Sequence, residues 1–205
     1  MKVHMMEQRS EEWFDIKRGK FGATDMATVA NGKTKTLKTL VFKKAAELIT
    51  GYREEGYMNE HMLRGIEFED QARQLYEFQT GQEVDTVGFI EFDEYSGCSP
   101  DGLVGEDGGV EIKCKDIHTH LQCLLYGDNS YMWQIQSSLF FTGRQWWDFV
   151  SYNEHFPPEK QLYVYRHYPD PVSQKKIEIG LGEAVRQLVE VMNTWKAWRW
   201  SDERI

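Results

Sequence analysis

A chain of 205 residues with a net charge of −9 is long enough for one domain with a sizeable core, and its acidity excludes a protein that coats nucleic acid through bulk positive charge. No run of 18 apolar residues occurs, so no transmembrane helix is expected, and residues 1–7 lack the apolar core of a secretory signal; the expectation is a cytoplasmic protein. Cys98, Cys114 and Cys123 have no zinc-ligand spacing and read as buried free thiols.

In chain order, Ser10 begins a short helix over 11–18 with acids in its first turn. Residues 19–23 form a loop, Thr24 caps a second short helix over 25–30, and 31–33 turn. Leu37, Leu40, Val41, Ala45 and Leu48 recur at helical spacing over 37–50, and Gly51 closes that helix. A long helix spans 59–80 and stops at Gly81. Strands follow near 83–92 and on both sides of a hairpin that lies between Ser99 and Cys114. A helix over 131–141 precedes strands over 145–152 and 161–167, connected through Pro157-Pro158. The last segment, 173–200, is mostly helical, although Gly180 and Gly182 weaken its first half. Without repeats, low-complexity tracts or long linkers, residues 1–205 make a single domain, an α/β or α+β fold with a central mixed sheet flanked by helices.

The hairpin carries the chemistry. In Ser99-Pro100-Asp101-Gly102 and Glu111-Ile112-Lys113-Cys114, the turn 105–109 (Gly-Glu-Asp-Gly-Gly) reverses the chain. That reversal places Val104 opposite Val110 and Asp101 opposite Lys113. Strand side chains alternate, so Glu111 and Lys113 share one face with Asp101, and Val110, Ile112 and Cys114 take the other. Two carboxylates beside a lysine suit a divalent-metal phosphodiesterase site; an ordinary turn and an exposed strand would read the same way.

Glu69 falls in the middle of the helical stripe Met62, Ile66, Ala72 and Tyr76. A carboxylate there needs a partner, either Arg73 at i+4 or a metal shared with the hairpin. The run Lys17-Arg18-Gly19-Lys20-Phe21-Gly22-Ala23-Thr24 offers basic side chains, backbone N–H groups and a hydroxyl to a phosphate; a solvated helix-loop-helix joint is the other reading. His118 and His120 have no partner pattern for zinc and read as solvated loop residues.

Five motifs in order resemble the lambda exonuclease-type (YqaJ-type) viral recombination nucleases of the PD-(D/E)xK superfamily: Glu11-Glu12-Trp13 with Lys17-Arg18-Gly19 and Gly22-Ala23-Thr24-Asp25; the helix segment Gly65-Ile66-Glu67-Phe68-Glu69-Asp70-Gln71-Ala72-Arg73; Ser99-Pro100-Asp101-Gly102; Glu111-Ile112-Lys113-Cys114; and Trp133-Gln134-Ile135-Gln136. The resemblance covers most of the chain and implies a restriction-endonuclease-like fold. It also implies an exonuclease using two Mg²⁺ ions, with Mn²⁺ as a substitute, that degrades one strand of linear double-stranded DNA 5′-to-3′ from a 5′-phosphorylated end. Asp101, Glu111 and the Ile112 carbonyl would bind metal with help from Glu69. Lys113 would position or activate the water, and Gln134 would support it. Ser99 and Thr24 would hold phosphate with Lys17 or Arg18; Lys17 falls where the family has its arginine, and Thr24 replaces the usual serine. A homotrimeric ring around DNA and a single-strand annealing protein as partner in phage-type recombination are further implications. The alternative is a metal-dependent endonuclease of the same superfamily.

Overall fold

β-Branched and aromatic residues concentrate in two long strands, and these form the centre of the fold. The computed structural model describes residues 1–32, 34–52 and 60–198. Strand β7 (Gly108–Cys114) pairs in parallel with β8 (Trp146–Tyr152). On one side β7 pairs antiparallel with β6 (Gly102–Val104), and β6 with β3 (Val84–Asp85). On the other, β8 pairs antiparallel with β9 (Leu162–His167), which completes a five-stranded mixed sheet. A second sheet of four short strands runs β1 (Lys2–His4), β4 (Phe89–Glu91), β5 (Ser96–Cys98), β2 (Phe21–Gly22). The sequence reading anticipated the mixed sheet but not the second one. Its strands are two or three residues long, too short to display a period of two.

Seven α-helices surround the sheets among the described residues: α1 (Glu11–Lys17), α2 (Met26–Ala30), α3 (Lys35–Thr50), α4 (Glu60–Thr80), α5 (Ile117–Tyr126), α6 (Met132–Thr142) and α7 (Pro171–Ala197). Alternation on β7 and β8 divides the interior in two. Val110, Ile112, Cys114, Val150 and Tyr152 pack with Ala72 and Tyr76 of α4. Trp147 and Phe149 belong to the larger core with Ile135 and Leu139 of α6, Val29 of α2 and Ile177 of α7. The three cysteines are free and buried. Among the described residues no helix is long and apolar enough to cross a membrane.

Several boundaries differ from expectation for identifiable reasons. Gly102 faces Val110 and Val104 faces Gly108, so the hairpin register is displaced by two residues from the one expected, and Asp101 does not face Lys113. A shift of two preserves the side-chain parity, and Glu111 still lies on the opposite face from Val110 and Ile112. Gly108 and Gly109 belong to β7 and not to the turn. A Cβ on either would meet the Trp146 or Trp147 ring at 2.1 and 2.4 Å, so the adjacent strand requires glycine there. Thr24 does not cap a helix: it lies in a 3₁₀ turn over Ala23–Asp25, and Asp25 accepts the Gly22 N–H at 2.9 Å. Gly180 is well placed inside α7, because a Cβ would approach the Val29 carbonyl oxygen within 2.2 Å where α2 crosses. His118 and His120 belong to α5, not to a loop, and His120 is fully buried between Ser151 Oγ (2.8 Å) and the Lys160 carbonyl (2.9 Å). The expected starting residue Asn59, Lys33 of the expected turn, the side chain of Met62 and residues 199–200 of the expected last helix lie outside the described residues.

Candidate active site

The β6–β7 hairpin, α4 and α6 converge on one cleft. Asp101, just before β6, accepts the Ile112 N–H through Oδ2 at 2.7 Å, which ties it to β7. Glu111 is 1% exposed. Its Oε1 accepts from both Lys113 Nζ and, at 2.5 Å, Gln134 Nε2 of α6. Glu69 on α4 and Asp101, Ile112, Lys113 and Gln134 line a cleft of about 630 Å³. Glu69 is 3.7 Å from Arg73, but that arginine makes its closer bond, 2.6 Å, to Asp70. The i+4 pair anticipated from sequence is therefore present, and it leaves the carboxylate beside Asp101 as well.

The electrostatics follow from crowding three acids in a partly dry space. Burial, then the Asp101 charge, pushes the Glu111 carboxyl up to about 7. The same two causes, in the same order, push Glu69 up to about 7, with Arg73, Arg9 and Lys113 opposing them. Burial alone would lower Lys113, but Glu111 and Asp101 outweigh it and hold the ammonium above the ordinary lysine range. Carboxylates and lysine move in compatible directions because the acids outnumber the cation. The sequence reading left open that Lys113 titrates low enough to accept a proton; these neighbours hold it protonated.

A metal ion is the remaining partner to test against this site. Among the described residues no three His, Cys, Asp or Glu side chains already converge as a closed cage. The donor set nevertheless fits a hard cation: Glu111 Oε2 is buried and meets no hydrogen-bond donor, and the other oxygens available are those of Asp101, Glu69 and the Ile112 backbone. An orphaned buried carboxylate oxygen is costly unless something neutralises it.

A second, smaller pocket of about 120 Å³ abuts the cleft. Lys17, Lys20, Lys44, Thr24 and Ser99 line it, and Thr24 and Gln134 line both spaces. Trp13 organises this pocket. Its indole N–H donates to Ser99 Oγ and to the Gly88 carbonyl, both at 2.9 Å, and its ring lies under Lys17 Nζ at 3.5 Å. Arg18 turns to Asp15 and is not part of the lining. Between the two bases left open by the sequence, the fold brings Lys17 to the pocket.

The sequence reading did not nominate Lys44, Arg9 or Tyr131, all of which line these spaces. Lys20, part of the basic run offered to a phosphate, lines the smaller pocket. Lys44 arrives from α3 by tertiary packing, where it pairs with Asp25 at 3.2 Å. Tyr131 lies beneath the Lys113 and Lys115 ammonium groups, at 5.1 and 5.0 Å. The Gln-x-Gln motif divides its work. Gln134 serves the cleft, whereas buried Gln136 bonds the Tyr168 carbonyl at 2.8 Å and the Asp170 N–H at 2.9 Å, anchoring α7.

An α+β fold with a carboxylate–lysine hairpin, a glutamate from a preceding helix and a glutamine from a following one defines the restriction-endonuclease-like class of nuclease folds. More narrowly, residues 12–145 match the YqaJ-like viral recombinase domain, and the chain belongs to that family. The structure is similar to the alkaline exonuclease LHK-Exo from Laribacter hongkongensis, with 33% identity, a TM-score of 0.84, and coverage of 92% of this chain and 97% of that one. The same figures hold for LHK-Exo solved in complex with dAMP. A phage-related exonuclease from Haemophilus somnus 129PT shares the fold at TM-score 0.71 and 16% identity, covering 86% of this chain and 96% of that one. No curated protein matches the chain.

Proposed function

We propose that this YqaJ-type nuclease is a Mg²⁺-dependent exonuclease that degrades one strand of linear double-stranded DNA, 5′-to-3′, from a 5′-phosphorylated end. The observation that carries the reading is adjacency: the lysine-and-hydroxyl pocket opens onto the carboxylate cleft through shared Thr24 and Gln134. The pocket's small volume suits a terminal phosphate and not a whole nucleotide. Lys17 supplies charge, and Thr24 and Ser99 supply hydroxyl donors, with Trp13 fixing both Lys17 and Ser99. A strand end seated there carries its first internucleotide phosphate toward Asp101 and Lys113.

Glu69, Asp101, Glu111 and the Ile112 carbonyl would hold the metal, which when bound supplies Lewis-acid stabilisation of charge at the phosphate and activation of water. Lys113, held protonated, orients the attacking water and offsets charge developing on the phosphate oxygens. Gln134 keeps Glu111 in place through its amide. That LHK-Exo binds dAMP supports a deoxynucleoside monophosphate as the class of product. The family's recombinase description supports a role in viral recombination. For that role we infer a homotrimeric ring acting with a single-strand annealing protein.

The test is one digestion series with Mg²⁺ and with chelator, on linear duplex, covalently closed circular duplex and single strand. Mg²⁺-dependent release of mononucleotides from linear duplex alone is expected. Cutting of the closed circle would overturn the exonuclease reading in favour of an endonuclease.

A further inference from the structure

Among the described residues, Arg9 is the one non-glycine residue at positive φ, 71°. The turn that holds it is well defined: Ser10 N–H returns to the Glu7 carbonyl at 3.3 Å, which places Arg9 third of four residues. Positive φ at that position alone is the type II arrangement, where glycine is the usual occupant. The turn is also clamped to the site. Gln8 Nε2 donates to the Val87 carbonyl at 3.1 Å and to the Pro100 carbonyl at 2.8 Å, immediately before Asp101. A large cation is therefore held in a backbone conformation that suits it poorly, beside the carboxylates. Such an outlier is a reason to look for a function.

Arg9 is exposed and lines two spaces. One is the carboxylate cleft; the other is a neighbouring cleft that it shares with Glu69, Asp101 and Arg73. That second cleft shares no lining residue with the Lys17–Thr24–Ser99 pocket. The order across the surface is thus lysine pocket, carboxylates, Arg9. A polyanionic strand passing three acids needs cations on both flanks. Lys17 stands on one flank, where Lys20 and Lys44 are held by Glu91 and Asp25; on the other, Arg73 is held by Asp70 and Arg9 is the exposed cation.

We propose that Arg9 is a substrate-binding residue that grips the phosphate one linkage beyond the scissile one, on the part of the strand that the enzyme retains. The proposal rests on the exonuclease reading above, which sets the direction of the strand. Through it Arg9 would hold the shortened strand in register between cuts.

Arg9→Gly is an informative variant, because glycine relaxes the turn and the fold is expected to melt no lower than wild type. Arg9→Lys retains the charge. Binding of a 5′-phosphorylated duplex, followed by fluorescence anisotropy in chelator, gives a readout independent of cleavage. Arg9→Gly is expected to bind about tenfold more weakly and to reduce the slope of log affinity against log salt by about one, with Arg9→Lys close to wild type in slope. A neutral methylphosphonate at the second linkage should weaken wild-type binding to a similar extent and leave Arg9→Gly unaffected. Equal affinity, slope and methylphosphonate sensitivity in wild type and Arg9→Gly would overturn the proposal. Failure of the wild type to degrade linear duplex with Mg²⁺ would overturn the exonuclease reading instead.

Discussion

Replacing Glu111 by Gln keeps the shape of the side chain and removes a charge that is 1% exposed and has one oxygen without a donor. The folded carboxyl is pushed from 4.5 to about 7 by burial and by Asp101. Because its folded value lies above its unfolded one, the native state holds the proton more tightly. The contribution of Glu111 to stability is therefore most favourable below about pH 4.5 and is lost as the pH rises through about 7. The difference corresponds to about 3 kcal/mol at pH 8. That figure already contains the attraction of Lys113; the Gln134 bond, weakened when its acceptor is a neutral amide, gives back about 1 kcal/mol. A net gain of about 2 kcal/mol raises the melting temperature of a chain this size by roughly 4–8 °C. The assay is thermal melting in chelator across pH 5–8, paired with DNA digestion in Mg²⁺. Glu111→Gln should melt above wild type at pH 8, with the gap largely closed near pH 5, and should digest nothing. A variant that melts at or below wild type at pH 8 would refute the claim that Glu111 is held in the fold at a cost for the sake of the chemistry.

Other perturbations follow from the same geometry. Asp101→Ala and Lys113→Ala should each lose nearly all digestion of linear duplex while gel-shift binding persists; wild-type turnover by Asp101→Ala would remove the metal-site assignment. Gly180→Ala should lower stability by about 2–3 kcal/mol, because its Cβ meets the Val29 carbonyl oxygen at 2.2 Å. Gly182→Ala, with nothing within 4 Å, should raise stability by up to about 1 kcal/mol; denaturant melts of the two variants settle the contrast.

The carboxylate–lysine hairpin was legible in the sequence because alternation is a local property. Even with its register displaced by two residues, Glu111 kept its face and Val110, Ile112 and Cys114 kept theirs. Glu69 was legible because a carboxylate on the same stripe as Ala72 and Tyr76, both fully buried, violates the helical pattern. Helix α5 was not. Its buried face contains His120 and Cys123, while Ile117, Leu121 and Leu125 face outward, so its pattern is reversed. The roles of Gly108 and Gly109 depend on Trp146 and Trp147, which are distant in sequence. The choice between Lys17 and Arg18 was equally non-local: it turns on Trp13 supporting one ammonium and Asp15 capturing the other guanidinium.

Whether the pocket reads a terminal phosphate for the adjoining cleft is decided by the ratio of kcat/KM for a 5′-phosphate linear duplex to that for the 5′-hydroxyl form, in wild type, Lys17→Ala and Arg18→Ala. A ratio of about ten or more is expected in wild type and in Arg18→Ala, a loss on the order of 1.4 kcal/mol of transition-state binding for the missing phosphate, and a ratio near one in Lys17→Ala. A wild-type ratio of one, or a ratio that survives Lys17→Ala, would contradict a phosphate-reading role for the pocket.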